Sequence, residues 1–211
     1  MKYFWLPVFA CTFFAPLHAQ TESTAAEFPT IFYLHGRIIE EKGARPVHRR
    51  WGLYDYPAIV EALAGDGADV ISEIRESGTD VDAYAQSVVD QIDDLIESGV
   101  APSNIFVVGF SKGGVIAMYV SDKLDHPDVN FVLLASCGSW LSSKPEMRPT
   151  GHILSIHEET DRIGGSCEKF ASRNADLGSF SELEISTGKE HGAFYLPRAE
   201  WVAPLMHWIE G

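Results

Sequence analysis

Residues 105–114 read Ile-Phe-Val-Val-Gly-Phe-Ser-Lys-Gly-Gly, an apolar run that stops on a serine bracketed by Gly109 and Gly113. A short run of β-branched and aromatic residues reads as a buried strand. The break at Ser111, followed by Val115 to Tyr119, reads as a sharp turn into a helix. Such a turn leaves no room for a Cβ two positions on either side of the serine, so Gly109 and Gly113 are the residues it needs. Ser111 then sits at the amino end of a helix, where free backbone N–H groups receive negative charge.

The flanking chain repeats this alternation. Residues 31–34 form an earlier apolar strand ending in His35-Gly36-Arg37, and residues 68–74 form the second strand. The quoted stretch is the third, and residues 131–136, 153–156 and 183–186 supply three more. Pro57 opens a helix as a first-turn proline does, with Ile59, Val60, Leu63 and Ala64 on one face and Gly65 closing it. Val81, Tyr84, Val88, Ile92 and Leu95 recur at helical spacing behind Thr79-Asp80-Val81-Asp82, which resembles a capping box. A third helix is expected over Lys112–Leu124. The last is an amphipathic segment from Trp201 to Ile209 that Pro204 should kink or restart. Strands alternating with helices predict an α/β fold: a doubly wound, mostly parallel sheet of about six strands with helices on both faces. Ligands of such sheets lie at the carboxyl ends of the strands.

At 211 residues the chain suits one domain with a large core and is short for two. Residues 1–19 read as a signal peptide: Lys2, then a mostly apolar stretch, then Ala19 where a signal peptidase would cut before Gln20. Lipidation at Cys11 and a retained anchor are the competing readings. Pro7 and Pro16 break the segment too often for a comfortable membrane span, so the expected product is secreted or periplasmic, without stable membrane insertion. Residues 20–29 are a solvated lead-in and residues 30–211 the domain. The 16 basic residues less Lys2 stand against 30 acidic ones, a formal net charge of −15 that disfavours nucleic acid and anionic membranes. Nothing in the pattern sets an oligomeric state. Cys137 and Cys167 follow predicted strands on one sheet edge and are either a disulfide pair or two buried thiols.

Four strand ends carry residues capable of chemistry: His35-Gly36-Arg37, Ser111, Asp161 in His157-Glu158-Glu159-Thr160-Asp161, and His191 in Glu190-His191-Gly192-Ala193-Phe194. A serine hydroxyl needs a base to take its proton, and the base needs an acid to fix its tautomer. With elbow, acid and histidine in that order, residues 30–209 resemble a small α/β-hydrolase, a minimal six-stranded version lacking the family's two leading strands.

The resemblance implies Ser111 as nucleophile, His191 as base and Asp161 as the acid, with Glu159 or Glu158 the alternative. His157 to Asp161 is similar to the family's His-Gly-x-x-Asp loop, with Glu158 in the glycine's place. It also implies that the backbone N–H groups of Arg37 and Lys112 form the oxyanion hole. His35, Trp51 and Tyr54 are expected at the substrate, with Tyr56 in the same aromatic wall, although His35 also reads as a structural histidine. Lys112 departs from the family habit of a neutral residue and either pairs with Glu40 or Glu41 or holds a substrate carboxylate. Residues 137–152 are too few for an inserted lid, so an open serine is expected, covered only by the loop of residues 38–54. No H-E-x-x-H spacing occurs, and neither a metal nor a cofactor is expected. The implied activity is ester hydrolysis on a small-molecule substrate; a binding protein on the same fold is the alternative.

Overall fold

A computed structural model describes residues 1–2, 28–65, 67–173, 175 and 177–211. The expected leader, apart from Met1 and Lys2, and most of the lead-in lie outside the described residues. In chain order the elements are β1 (Thr30–Leu34), α1 (Arg37–Lys42), β2 (Val47–His48), β3 (Gly52–Leu53), α2 (Tyr56–Ala64), β4 (Asp69–Ile71) and α3 (Val81–Glu97). Then follow β5 (Ile105–Phe110), α4 (Lys112–Leu124), β6 (Asn130–Leu134), β7 (His152–Glu158), α5 (Glu168–Ala171), β8 (Ser179–Ile185) and α6 (Ala199–Glu210).

Six strands form one sheet in the order β4-β1-β5-β6-β7-β8, and every pairing in it is parallel. Each strand alternates between two apolar layers. Tyr33, Val108 and Leu134 face the layer closed by Ile59 and Leu63 of α2 and Trp201 and Leu205 of α6. Phe32, Val107 and Leu133 face the layer closed by Val88 and Ile92 of α3 and Ile116 and Val120 of α4. The sheet is therefore doubly wound, as the alternation of patterns predicts. After β1 the chain steps outward to β4 and returns on the other side of β1 as β5, which makes the β1–β5 boundary the switch point. The turns leaving these two strands diverge there and leave a crevice.

Several boundaries differ from the sequence reading. Residues 38–54 do not form an irregular loop: α1 opens them, and β2 and β3 pair antiparallel as a small ribbon. The second strand shrinks to three residues, and the sixth begins earlier, at Ser179. Both are edge strands that water wets on one side, so their polar residues conceal the pairing. The cap of α3 is Asp80, whose Oδ1 accepts the N–H of Ala83 at 2.8 Å, while the Thr79 hydroxyl turns back to the Glu76 carbonyl. Helix α6 runs as one element through Pro204.

Candidate active site

Ser111 stands between β5 and α4 with φ 53° and ψ −116°, a conformation that L-residues avoid unless their surroundings enforce it. The enforcement is visible at the flanking glycines. A Cβ on Gly109 would strike the Gly113 carbonyl, and one on Gly113 would strike the Leu34 carbonyl at the end of β1. The turn is thus pressed against the adjacent strand, which presents the hydroxyl outward.

Three side chains meet in series at this point. Ser111 Oγ lies 2.9 Å from His191 Nε2, and His191 Nδ1 lies 2.7 Å from Asp161 Oδ2. The arrangement suits one tautomer: Nδ1–H donates to the carboxylate, which leaves the Nε2 lone pair to accept the serine O–H. The His191 and Asp161 side chains are 5% and 1% exposed, so the contact is shielded from water. A hydroxyl, an imidazole and a carboxylate so linked can pass a proton from oxygen to nitrogen as the oxygen forms a new bond.

Of the three acids at positions 158, 159 and 161, only Asp161 bonds the imidazole. Glu158 turns the other way and accepts the N–H groups of Thr160, Thr187 and Gly188 at 2.7, 3.1 and 2.8 Å. Burial alone would push its pKa up; the hydrogen bonds from Thr160, Thr187 and Gly188 outweigh it and hold the carboxyl below its usual range. Glu159 accepts the Ser186 hydroxyl. His157 reaches along the sheet edge to Glu184, 3.2 Å away on β8.

His191 lies in a 3-10 turn over Glu190–Tyr195, just after Glu190 at φ 54°. The Glu190 carboxylate is strapped to the β2–β3 ribbon: Arg50 donates to it at 2.6 Å and the Trp51 indole N–H at 3.1 Å. Those bonds, Arg50's first, hold its pKa below the usual carboxylate range. Trp51 packs its ring 5.3 Å from that of His191 and lines the cleft, where the sequence reading puts it.

His35 and Tyr54 do not line the cleft. Both are fully buried and support the turn that carries Arg37. Tyr54 Oη accepts the N–H of Gly36 at 3.2 Å and meets Tyr33 Oη at 2.8 Å. His35 accepts the N–H of Arg75 through Nε2 at 3.0 Å and donates from Nδ1 to the Gly36 carbonyl at 2.9 Å. Burial, then the neighbouring Arg75 cation, lower its pKa to about 4, so the ring is neutral. Tyr56 is also buried and bonds Ser72. The apolar character that marks these tyrosines as a wall is used to hold the loop from behind.

Arg37 and Lys112 both border the cleft with Ser111, each as the first residue of its helix. Their side chains turn elsewhere. The Arg37 guanidinium lies on the rim, 3.5 Å from Glu41, and Lys112 Nζ is 2.7 Å from Glu40 Oε2. Of the two roles open to Lys112, the geometry favours pairing with Glu40.

The cleft has a volume of about 560 Å³. Its walls also include Ile38, Val115, Ile163 and Tyr195, which no motif marks. Val115 lies four residues beyond Ser111 in α4, a helical spacing that keeps it on the side of the serine. Among the described residues, none from 137 to 151 borders it. Cys137, after β6, is bonded to Cys167, before α5, which closes the segment bearing Asp161 against the end of β6. Among the described residues no group of three or more His, Cys, Asp or Glu side chains is placed to hold a metal ion.

Comparison with known proteins places the chain in a family. Residues 65–176, more than half of the chain, match the model of the phospholipase/carboxylesterase family. The chain belongs to that family of α/β-hydrolases. The matched part of this phospholipase/carboxylesterase member holds Ser111 and Asp161 and stops short of His191. The candidate esterase NocK of Nocardia uniformis subsp. tsuyamanensis is 40% identical over 87 residues, 40% of this chain; the chain covers 24% of the length of that relative. Two solved structures share the fold. Arabidopsis thaliana SOBER1 is 16% identical with a TM-score of 0.57, over 87% of this chain and 98% of its own. Est1E from Butyrivibrio proteoclasticus is 12% identical with a TM-score of 0.55, over 90% of this chain and 88% of its own.

Proposed function

We propose that this hydrolase cleaves carboxylic esters of small molecules through an acyl-enzyme on Ser111. The observation that carries the reading is the linear series Ser111, His191, Asp161, with separations of 2.9 and 2.7 Å, at the switch point of the sheet. Ser111 Oγ attacks the ester carbonyl carbon while His191 Nε2 takes its proton, and Asp161 stabilises the resulting imidazolium. The carbonyl oxygen becomes an oxyanion, for which the backbone N–H groups of Arg37 and Lys112 are the donors. Collapse breaks the bond to the leaving alcohol, which receives the proton from His191. Water, deprotonated by the same nitrogen, then attacks the acyl-enzyme, releases the acid and restores Ser111. The family to which the chain belongs supports an ester as substrate. The 2.9 Å separation of Ser111 and His191 supports turnover over a binding protein on the same fold.

A secreted or periplasmic site of action is part of the proposal. The Cys137–Cys167 disulfide supports it, because such bonds persist in oxidising compartments. Among the described residues no helix is long and apolar enough to cross a membrane.

The test is reaction with a fluorophosphonate probe, together with a panel of acyl esters varied in chain length and charge. The parent protein should label and turn over at least one ester, and Ser111→Ala should do neither. Absence of labelling in the parent, or equal labelling of the variant, would refute the proposal.

A further inference from the structure

The buried cluster of Arg75, Glu40 and Lys112 has no part in proton transfer, yet it surrounds the turn that carries Arg37. Glu40 and Arg75 side chains are each 1% exposed and Lys112 is 17% exposed. Glu40 accepts Arg75 Nε–H on Oε1 at 2.9 Å and Lys112 Nζ on Oε2 at 2.7 Å, so both oxygens are held and the carboxylate is fixed in rotation. Lys112 Nζ also donates to the Thr79 carbonyl at 2.8 Å. The Arg75 guanidinium bonds the His35 carbonyl and stands 5.4 Å from the centre of the Tyr84 ring, and its Nη1 has no hydrogen-bond partner among the described residues.

Two buried charges and a part-buried one, with one cation in excess, are poor evidence of stability, since desolvation offsets most of their attraction. What they determine is geometry. Glu40 lies one helical turn after Arg37 in α1, and Lys112 is itself the first residue of α4. The Glu40 carboxylate therefore ties α1, whose first residue is Arg37, to Lys112, the other proposed oxyanion donor, while Arg75 bonds the His35 carbonyl and His35 bonds that of Gly36, just before Arg37. Resting on the proposed function, we infer that Glu40, with Arg75 and Lys112, positions the two oxyanion donors. Lys112 is thus a positioning residue by its side chain and an oxyanion donor by its backbone. Losing one such donor outright costs about 10²–10³ in rate, and loosening the tie between two of them costs a smaller factor.

The experiment uses the full chain and p-nitrophenyl acetate, an uncharged ester with no carboxylate for an ammonium group to pair with. Lys112→Met removes only the partly exposed tie and leaves the Arg75–Glu40 pair in the core, so it is the variant expected to keep its fold. Glu40→Gln removes the charge at the centre. Both should lower kcat about tenfold or more with KM changed less than about threefold, and slow fluorophosphonate labelling in parallel. Lys112→Arg should restore most of the loss. Lys112→Met, folded by circular dichroism at the assay temperature and with kcat within twofold of the parent, would overturn the inference. So would a loss confined to KM. A parent protein that does not label defeats the esterase reading itself, whereas a labelled parent with unaffected variants defeats only the positioning role.

Discussion

Glu158 accepts the backbone N–H of Gly188 at 2.8 Å, so the carboxylate that ends β7 also anchors the loop that delivers His191. With its bonds to Thr160 and Thr187, it joins the Asp161 loop to the His191 loop. Replacing it with alanine leaves three N–H groups without their acceptor in a buried site. Glu158→Ala should lose about 2–4 kcal/mol of stability in denaturant unfolding and at least tenfold in kcat. Unchanged kcat in the folded variant would show that the loops hold their register without it.

Asp161→Asn preserves the size of the side chain but turns its amide toward His191 Nδ1, which favours the wrong tautomer. On the proposed mechanism kcat should fall by about 10³-fold or more with little change in KM. Retained activity would instead point to Glu158 or Glu159 as the acid and is checked by steady-state kinetics on one ester.

Acid should destabilise the fold through His35, and the sign follows from its lowered pKa. The unfolded chain takes up this proton below about 6.5, the folded chain only below about 4. The neutral ring's contribution is therefore complete above pH 6.5 and is lost progressively towards pH 4, in total about 3 kcal/mol. Glu158, whose pKa is also depressed, acts with the same sign and loses its contribution as pH falls through its folded value. Melting curves between pH 7 and 4.5 should show the decline, and His35→Gln should flatten part of it. An equal slope in the variant would exclude His35 as a source.

The Cys137–Cys167 bond closes a loop with a sequence separation of 30. By loop-closure entropy, removing it should cost about 3–4 kcal/mol. The paired Cys137→Ser, Cys167→Ser variant, or the parent in reductant, should melt well below the oxidised protein. Coincident melts would mean that the segment carrying Asp161 is held by packing alone.

The glycine-bracketed serine, the alternation of strands and helices, and the order Ser111, Asp161, His191 are all legible in the chain. Each rests on local physics: a period of apolar residues, or a turn too tight for a Cβ. Long-range neighbours leave no such periodic trace. Three acids share positions 158 to 161, and only the direction of the loop after β7 turns Asp161 to the imidazole and Glu158 to the backbone. Tyr54 reads as one more aromatic of a wall, but its hydroxyl is held by Tyr33 and Gly36 behind the cleft. Lys112 follows the serine in every reading of the sequence; that its ammonium turns to a carboxylate 72 residues earlier in the chain was decided by the fold, which brings the start of α4 beside Glu40 of α1. Local pattern determines which groups stand at the strand ends, and tertiary packing determines which of them face one another, because burial forces each charge to find its partner wherever the fold has brought one.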